Sequence, residues 1–152
     1  MKKVFLSTSF SGKVDYATGR VLPEFRKEIE LILAALRQDE DLEVFCAVED
    51  ERWNITNTAP EVGVKYDLAR LDSADLLLAL VEETISAGVQ FELGYAVAKG
   101  KQVVLASAIG APVAYFNQGV VSNGMMTLIT YEDLAGLIKQ LDVALHAPEE
   151  NV

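Results

Sequence analysis

The segment Asp75–Val81 places six aliphatic residues in a row directly after one aspartate. An unbroken apolar run of this length is typical of a central strand in a parallel sheet, where helices cover both faces. It constrains the fold strongly, because a strand buried on both faces requires a layer of helix above and below the sheet. The segment therefore predicts an α/β architecture.

Strands and helices alternate along the rest of the chain. The other predicted strands are Val4–Leu6, Leu42–Val48, Gln102–Ala106 and Met125–Ile129. The predicted helices are Pro23–Gln38, a helix with Val64, Leu68 and Leu71 on one face, Gly88–Lys99 and Tyr131–Leu145. This alternation predicts a three-layer α/β sandwich on a parallel sheet, with right-handed crossovers.

Size and charge narrow the class of protein. The chain has 152 residues, which fit a single domain over 1–146 followed by a flexible tail, 147–152. Its formal net charge of −10 argues against a binder of nucleic-acid polymers or anionic membranes, because phosphate groups require a basic surface. A small anionic ligand is still compatible with this charge, since backbone N–H groups at a helix N-terminus can hold it.

Cys46 is the single cysteine and lies within the apolar run Val44–Val48. One cysteine cannot form a disulfide within one chain, so the sequence suits a reducing compartment, and a buried structural thiol is favoured over a nucleophile.

The N-terminal segment does not have the pattern of a signal peptide, and no run reaches the ~18–20 apolar residues of a membrane span. We expect a cytoplasmic protein that does not associate with membranes.

Several kinds of site are excluded by the residue types that the sequence contains. One histidine, His146, and one cysteine cannot form a conventional zinc site or a Ser-His-Asp triad of plausible placement. Neither the P-loop motif nor the G-x-G-x-x-G fingerprint occurs. We therefore expect no metal and no cofactor, and carboxylates remain the best catalytic groups, as in glycosidic chemistry.

Three loops follow predicted strands, and ligands of open parallel sheets bind outside the carboxyl ends of the strands. These loops are Ser7–Gly19, Glu49–Pro60 and Glu82–Gly88. The third leads into the helix of Glu92, whose ionised form a helix N-terminus favours and which could attack an anomeric carbon. Because Phe91, Leu93 and Tyr95–Val97 make this helix apolar nearly all round, we expect it to be buried. The alternative is that a glutamate near a helix start is simply favourable there.

Asp67 and the segment Ser86–Gly88 are the other candidates. Asp67 falls in the middle of its predicted helix, where capping does not explain it, although a salt bridge to Lys65 or Arg70 would. Ser86–Gly88 precedes a predicted helix, and its small residues leave backbone N–H groups open as a seat for a phosphate or hydroxyl group. An ordinary loop with Ser86 as the N-cap explains the same residues.

A longer sequence pattern extends over Tyr66–Asp75, Ser86–Ala96 and Lys99–Val103. It reads D-L…D-x-A-D, then S-x-G-x-x-x-E-L-G-Y-A, then G-K-x-V. In this order and spacing, the pattern resembles the nucleoside 2-deoxyribosyltransferase family. The resemblance implies a flavodoxin-like three-layer sandwich with a five-stranded parallel sheet. It also implies a nucleoside or nucleotide substrate and a homodimer or higher homo-oligomer.

The resemblance assigns roles to individual residues. Glu92 matches the family's nucleophile, which forms a covalent deoxyribosyl ester, and Asp67 matches the aspartate that handles the base or its proton. Substrate contacts are implied at Phe5, Ser7, Ser86, Gly88 and Asn123. The function implied is cleavage or transfer of the N-glycosidic bond of a (2′-deoxy)nucleoside or its 5′-monophosphate.

Two positions depart from the family pattern close to the expected site. Phe5 stands where the family carries a tyrosine that hydrogen-bonds the nucleophile, and Ser7, Tyr66 or Tyr95 could replace that hydroxyl group. Ser86 stands where transferases of the family often have an aspartate that binds the sugar 5′-hydroxyl. In this respect the chain is similar to the family's nucleoside 5′-monophosphate N-glycosidases.

The similarity to those hydrolases is incomplete. Their arginine-containing, glycine-rich first loop is absent, with only Lys13 and Arg20 in that region. Ala114 stands where a neighbouring subunit donates a serine to the phosphate. The segment Pro112–Asn123, which carries several apolar residues, is a candidate subunit interface, with packing under the sheet as the alternative.

Two other functions remain open from the sequence. The first is a non-catalytic nucleotide-binding or sensing module on the same fold, with Phe5 as the sign of lost chemistry. The second is a receiver-like signalling domain, which would need an aspartate at the end of the third strand. Val81 and Glu82 occupy that place, so the receiver-like interpretation is the weaker one.

Overall fold

Five parallel strands form the central sheet in a computed structural model that describes residues 1–147. In chain order, the strands of the molecule are β1 (Lys2–Thr8), β2 (Val14–Asp15), β3 (Arg20–Val21), β4 (Leu42–Cys46), β5 (Leu76–Val81), β6 (Gln102–Ala108) and β7 (Thr127–Tyr131). The sheet order is β4-β1-β5-β6-β7, which is the flavodoxin-like order, so the predicted fold class is confirmed. The tail predicted at 147–152 lies outside the described residues, apart from Ala147.

Helices cover both faces of the sheet. They are α1 (Pro23–Leu36), α2 (Ala47–Asp50), α3 (Pro60–Ser73), α4 (Ala87–Ala98), α5 (Tyr115–Ser122) and α6 (Leu134–Leu145). α1 and α6 pack on one face, and α3, α4 and α5 pack on the other. Pro23 and Pro60 begin α1 and α3, because a proline in the first helical turn gives up no intrahelical hydrogen bond.

β5 lies at the centre of the sheet, and all six of its residues are buried. It pairs with β1 and with β6, where Leu78 lies opposite Leu6 and Val104. Its alternate residues enter opposite cores: Leu78 packs beneath α1 and α6, and Leu77 packs beneath α3 and α4. The prediction of a central strand covered on both faces is therefore confirmed.

The predicted loop Ser7–Gly19 contains more regular structure than its sequence indicates. β1 continues to Thr8, and β2 pairs with β3 as a short antiparallel hairpin in which Val14 lies opposite Val21. Strands of two residues are too short to produce an alternating pattern. The loop prediction is wrong over these residues.

In the C-terminal third of the chain, the observed bounds of strands and helices differ from the predicted ones. β7 runs to Tyr131 instead of ending at Ile129, because Tyr131 still pairs with Ala108 of β6. α6 begins at Leu134, since the Asp133 side chain caps it by accepting a hydrogen bond of 2.7 Å from the Gly136 N–H. α5, which lies inside the segment Pro112–Asn123, has no counterpart among the predicted helices.

α4 is less buried than its composition suggests. Val89, Leu93 and Ala96 face the core, but Phe91 is 60% exposed. A helix that is apolar nearly all round carries no signal for its inward side. The expectation that this helix is buried therefore holds for its inner side only, and one apolar side of α4 faces outward.

Cys46 lies at the end of β4 and is buried, as expected of a structural thiol. Burial raises the pKa of this thiol to about 11, so it carries no thiolate at neutral pH. Within residues 1–147, no helix is long and apolar enough to cross a membrane. The cytoplasmic location stays a prediction.

Candidate active site

A cavity of about 100 Å³ lies at the carboxyl end of β1, beside the first turns of α4. In a sheet of this order, the connections on either side of the first strand run to opposite faces and open a crevice at this edge. The cavity is lined by Phe5, Leu6, Ser7, Thr8, Phe10, Ala47, Val48, Glu51, Asp67, Ser86, Gly88, Val89 and Glu92. The structure thus brings together six of the seven residues that the sequence places at the site.

A larger cavity, of about 390 Å³, lies between α1 and α6 on the other side of the sheet. Its wall is mainly aliphatic, and none of the seven residues predicted for the site touches it. Size alone does not identify a functional site, whereas buried carboxyl groups with shifted pKa values point to one. The smaller cavity, which holds such groups, is therefore the candidate active site.

Glu92 lies on the second turn of α4 and faces β1. The Ser7 hydroxyl of β1 donates a hydrogen bond to Glu92 Oε2. Burial and, to a smaller extent, the charge of Asp67 raise the pKa of Glu92 to about 7, against the lowering effect of the Ser7 hydrogen bond. The expectation that the helix N-terminus favours the ionised form is wrong, because its influence fades beyond the first turn and burial dominates.

Asp67 lies in the middle of α3 and reaches the same cavity. Burial, and then the nearby charge of Asp50, raises the pKa of Asp67 to about 6. The alternative of a salt bridge does not hold in the described chain, since the Arg70 guanidinium donates instead to the Tyr66 hydroxyl at 2.8 and 3.2 Å. Asp67 is thus a half-buried carboxyl group that retains its proton more readily than an ordinary aspartate.

Glu51 is a third carboxyl group on the cavity wall, and the sequence analysis does not single it out. It follows α2 directly, just beyond the edge strand β4. Burial, followed by the nearby charges of Asp67 and Asp50, raises the pKa of Glu51 to about 7. Its neighbours Glu49 and Asp50 are acidic too, so composition alone gives no reason to choose it.

Ser86 and Gly88 form the end of the cavity at the N-terminus of α4. Ser86 is the N-cap, as one alternative from the sequence holds: its Oγ accepts a hydrogen bond of 3.3 Å from the Val89 N–H. The Ser86 N–H donates to Ser9 Oγ at 2.9 Å, which fixes the turn against the end of β1. A Cβ at Gly88 would meet nothing within 4 Å, so this part of the helix start faces open space.

Among residues 1–147, no positively charged side chain lines the cavity. Lys13, one of the two cations expected near this edge, is held at 2.9 Å by Glu82 and at 3.2 Å by Glu83. Arg20 lies in β3, and its side chain is exposed. Among the described residues, no group of three or more His, Cys, Asp or Glu side chains could hold a metal ion. The carboxyl groups of the cavity therefore face one another without a cation between them.

A family model described as nucleoside 2-deoxyribosyltransferase matches residues 24–125, about two thirds of the chain. The chain belongs to the nucleoside 2-deoxyribosyltransferase family. No curated protein sequence matches it. The matched range includes Glu51, Asp67, Ser86 and Glu92, and leaves out β1 with Ser7.

Solved structures similar to this family member share its fold along almost the whole chain. The CMP N-glycosidase BcmB of Clostridium botulinum is 24% identical with a TM-score of 0.69, covering 93% of this chain and 98% of its own. The solution structure of BlsM is 23% identical with a TM-score of 0.78, covering 99% and 98%. A conserved protein from Enterococcus faecalis V583 is 19% identical with a TM-score of 0.62, covering 94% and 98%.

Phe5 stands where the family carries a tyrosine, and the contacts in this region show which hydroxyl group reaches Glu92 instead. Phe5 is buried and packs against Phe45 with ring centroids 5.2 Å apart, so it supplies an apolar wall. Of the three hydroxyl groups considered as replacements, Tyr95 donates to Asp72 at 2.9 Å and Tyr66 pairs with Arg70. Ser7 is the one that contacts Glu92.

Asn123 is the one predicted site residue that the structure places away from the cavity. It is the C-cap of α5, and its side-chain amide donates to the Gly119 carbonyl oxygen at 2.8 Å. Within one chain, Asn123 closes its own helix and has no place on the cavity wall. Ala114, the N-cap residue of α5, provides no side-chain hydrogen bond there.

Proposed function

We propose that this protein cleaves or transfers the N-glycosidic bond of a (2′-deoxy)nucleoside or its 5′-monophosphate, with Glu92 as the nucleophile. The observation that carries the proposal is a buried carboxyl group inside a cavity, held by the Ser7 hydroxyl and free of any cation on the wall. Glu92 attacks the anomeric carbon, the base departs with the bonding electron pair, and a glycosyl ester remains. Water or a second base then attacks the same carbon and releases Glu92.

The burial of Glu92 supports this chemistry. Burial raises the pKa of Glu92 to about 7, so its carboxylate is poorly solvated when it forms. A sugar ring that develops positive charge in the transition state supplies the opposite charge that the cavity lacks. The reacting sugar therefore stabilises the ionised carboxylate at the moment when the bond to the base breaks.

Asp67 is proposed to provide a proton to the departing base, directly or through water. Its pKa, raised to about 6 mainly by burial, lets a fraction of the molecules carry that proton at neutral pH. The charge of Asp67 raises the pKa of Glu92, so loss of the proton from Asp67 makes Glu92 harder to ionise. The productive form has Glu92 ionised and Asp67 protonated.

The end of the cavity at Ser86 and Gly88 is proposed to receive the 5′ group of the sugar. A hydroxyl group and the open backbone at a helix N-terminus suit either a 5′-hydroxyl or a 5′-phosphate. Lys13, from the segment that follows β1, is already paired with two glutamates. We therefore expect 5′-monophosphates to be accepted but not strongly preferred.

The test is a panel of ribo- and deoxynucleosides and their 5′-monophosphates, in which chromatography follows the free base. Added second bases distinguish transfer from hydrolysis. We expect base release from at least one member of the panel, and none with Glu92→Gln. A non-catalytic nucleotide-binding module would bind members of the panel in calorimetry and release no base, and that result would refute the proposal.

We also propose that the protein assembles as a homodimer or higher homo-oligomer through the outer side of α4 and α5. Phe91 of α4 is 60% exposed, and Tyr115 and Phe116 of α5 are 91% and 75% exposed. Paired amide hydrogen bonds of 2.9 Å between Gln90 and Asn117 join these two helices into one surface. The cavity is also smaller than the roughly 300 Å³ of typical ligand pockets, which suits a site completed by a second copy. Light scattering that detects only monomer at micromolar concentration would contradict this assembly.

A further inference from the structure

A buried pair of amide side chains joins α4 to α5. Asn117 is the residue that α5 buries most deeply, with 2% of its surface exposed. Its amide nitrogen donates to Gln90 Oε1, and the Gln90 amide nitrogen donates to Asn117 Oδ1, both at 2.9 Å. The two bonds form together only when the amide groups meet edge to edge, so the pair specifies one placement of the two helices relative to each other.

Gln90 and Glu92 lie on opposite sides of α4. Two residues along an α-helix are separated by about 200° around its axis. Glu92 faces β1, where it meets the Ser7 hydroxyl, and it shares the cavity with Asp67 of α3. Gln90 faces α5. The amide pair therefore holds α4 from the side opposite the proposed nucleophile.

The remaining contacts of α4 are mainly apolar. Its inner side consists of Val89, Leu93 and Ala96, which pack on β1, β5 and β6. Apolar packing is non-directional, so hydrogen bonds on both sides of the helix define its position more sharply than these contacts alone. The position matters for catalysis, because a misplacement of about 1 Å between reacting groups can cost about 10²-fold in rate.

We propose that Gln90 and Asn117 are positioning residues: their amide pair sets where α4 lies against β1 and so keeps the Glu92 carboxyl group at the Ser7 hydroxyl. The inference rests on the proposed function, because it takes Glu92 as the nucleophile. Neither Gln90 nor Asn117 lines the cavity, so both act through the helix and not on the substrate. Two apolar residues would fill the same place at little cost in stability, and the advantage of the amides is the single arrangement that they specify.

The experiment compares wild type with variants of this pair and one control. Asn117→Leu removes the pair at nearly constant side-chain volume. Gln90→Leu combined with Asn117→Leu replaces the pair by an apolar contact, and Gln90→Asn combined with Asn117→Gln keeps two amides. The control Val121→Ala removes apolar packing of α5 on the same core and leaves the pair intact. Base release provides kcat and KM for each protein, and thermal melting provides its stability.

The expected results differ between the variants. Asn117→Leu should lower kcat about tenfold with little change in KM, because the substrate still binds while Glu92 is misplaced. The double leucine variant should regain thermal stability without regaining kcat, since an apolar contact stabilises without fixing an orientation. The exchange of the two amides should restore much of the lost rate, and Val121→Ala should lower the melting temperature with kcat unchanged.

The pH profile provides a measurement that a loss of stability alone does not change. The Ser7 hydrogen bond lowers the pKa of Glu92 against the effect of burial. A displaced α4 weakens this bond, so the acidic limb of the kcat/KM profile should move to higher pH in Asn117→Leu and in the double leucine variant. The limb should stay in place in Val121→Ala.

Other outcomes would overturn the inference. Wild-type kcat in the double leucine variant would show that packing alone positions α4, and an equal loss of kcat in Val121→Ala would show that the pair is only structural. If wild type releases no base, the proposed function fails, and hydrogen exchange at the backbone amides of Val89 and Gln90 tests the inference by itself. We expect faster exchange there in the double leucine variant, although its thermal stability is retained, and unchanged exchange would contradict the positioning role.

Discussion

Glu82 and Glu92 follow the same strand, β5, and lie on opposite faces of the sheet, but their surroundings differ. Glu82 has a cation, since Lys13 lies 2.9 Å away, and it also hydrogen-bonds the carboxyl group of Glu28. Burial alone would raise the pKa of Glu82, but the hydrogen bonds to Glu28 and Lys13 lower it overall. Glu92 has the Ser7 hydroxyl instead of a cation, and its pKa is raised to about 7.

The difference shows what distinguishes a structural carboxylate from a reactive one in this fold. A buried carboxylate is costly unless a partner compensates it. Lys13 and Glu28 compensate Glu82, and Glu28 takes up the excess proton, with a pKa raised to about 7 mainly by its hydrogen bond to Glu82. Glu92 is left uncompensated, so its charge is available to a substrate.

The largest expected effect is on turnover. Glu92→Gln should lower kcat by about 10³-fold or more, because a neutral amide cannot form the glycosyl ester. The matched change Glu82→Gln, at the other face of the same strand end, should leave kcat close to wild type. Both are measured by base release on the same substrate. If Glu92→Ala keeps near wild-type release, or Glu82→Gln is the more damaging change, the comparison fails.

Asp67→Asn should slow base release by about 10²–10⁴-fold, because the amide cannot supply a proton to the departing base. The loss should be largest for bases that leave poorly as anions, so a series of substrates with graded leaving ability is the appropriate measurement. Equal slowing for every base would indicate that Asp67 is structural.

The pH profile of the same variant sharpens that test. Wild-type kcat/KM should fall at low pH, as Glu92 takes up a proton, and at high pH, as Asp67 loses its own. Because burial raises the pKa of Glu92 to about 7 and that of Asp67 to about 6, we expect a maximum between those values. Asp67→Asn should remove the decline on the alkaline side.

The third expected effect is on stability, and the two glutamates should differ in sign. The folded-state pKa of Glu92 is raised from 4.5 to about 7, so its ionisation destabilises the fold progressively as pH rises through this range. At pH 8 Glu92→Gln should therefore stabilise the protein by about 3 kcal/mol, and below pH 4.5 the gain should vanish.

Glu82→Gln provides the comparison for that measurement. Glu82 loses its ion pair with Lys13 in this variant, so the protein should become less stable at pH 8, by less than about 1 kcal/mol because the pair is partly exposed. Urea unfolding at pH 8 and at pH 4 measures both variants. Destabilisation by Glu92→Gln at pH 8 would show that the charge of Glu92 is compensated after all.

The smallest expected effect concerns a new carboxylate at the same strand end. Ser86→Asp should shift the preference between a deoxynucleoside and its 5′-monophosphate roughly tenfold toward the unphosphorylated substrate, because the added carboxylate repels the phosphate. The measurement is the ratio of kcat/KM values for the matched substrates in wild type and variant. An unchanged ratio would place Ser86 away from the 5′ group.

The sequence predicts the parallel sheet well because its central strands are continuous apolar runs, as in Leu76–Val81. α5 carries weaker signals: it has eight residues, contains Gly119, and exposes the aromatic side chains at its start. Helices of this length depend on tertiary contacts, here the hydrogen bonds between Gln90 and Asn117. Contacts between distant parts of the chain produce no local sequence pattern, so α5 is not predicted from the sequence.

Some residues of the site are predictable from the sequence, and others are not. Glu92 and Asp67 are recognisable because a carboxylate in an apolar or mid-helix setting is unexpected. Glu51 stands in an acidic run, so its sequence neighbours do not distinguish it from Glu49 and Asp50, and its place on the cavity wall depends on the tertiary structure. The contact between Ser7 and Glu92 joins residues 85 positions apart, a distance over which sequence spacing carries no information.

β4 is an edge strand, and within the described sheet it pairs with β1 alone. A hydrogen bond of 2.9 Å from the Ile55 N–H to the Gly19 carbonyl oxygen connects the segment between β4 and Pro60 to the hairpin. Mutation or insertion in this segment alters the far end of the cavity without disturbing the strands and helix that hold Ser7 and Glu92. The end of the cavity beside Glu51 can therefore change in shape while Ser7 and Glu92 keep their positions.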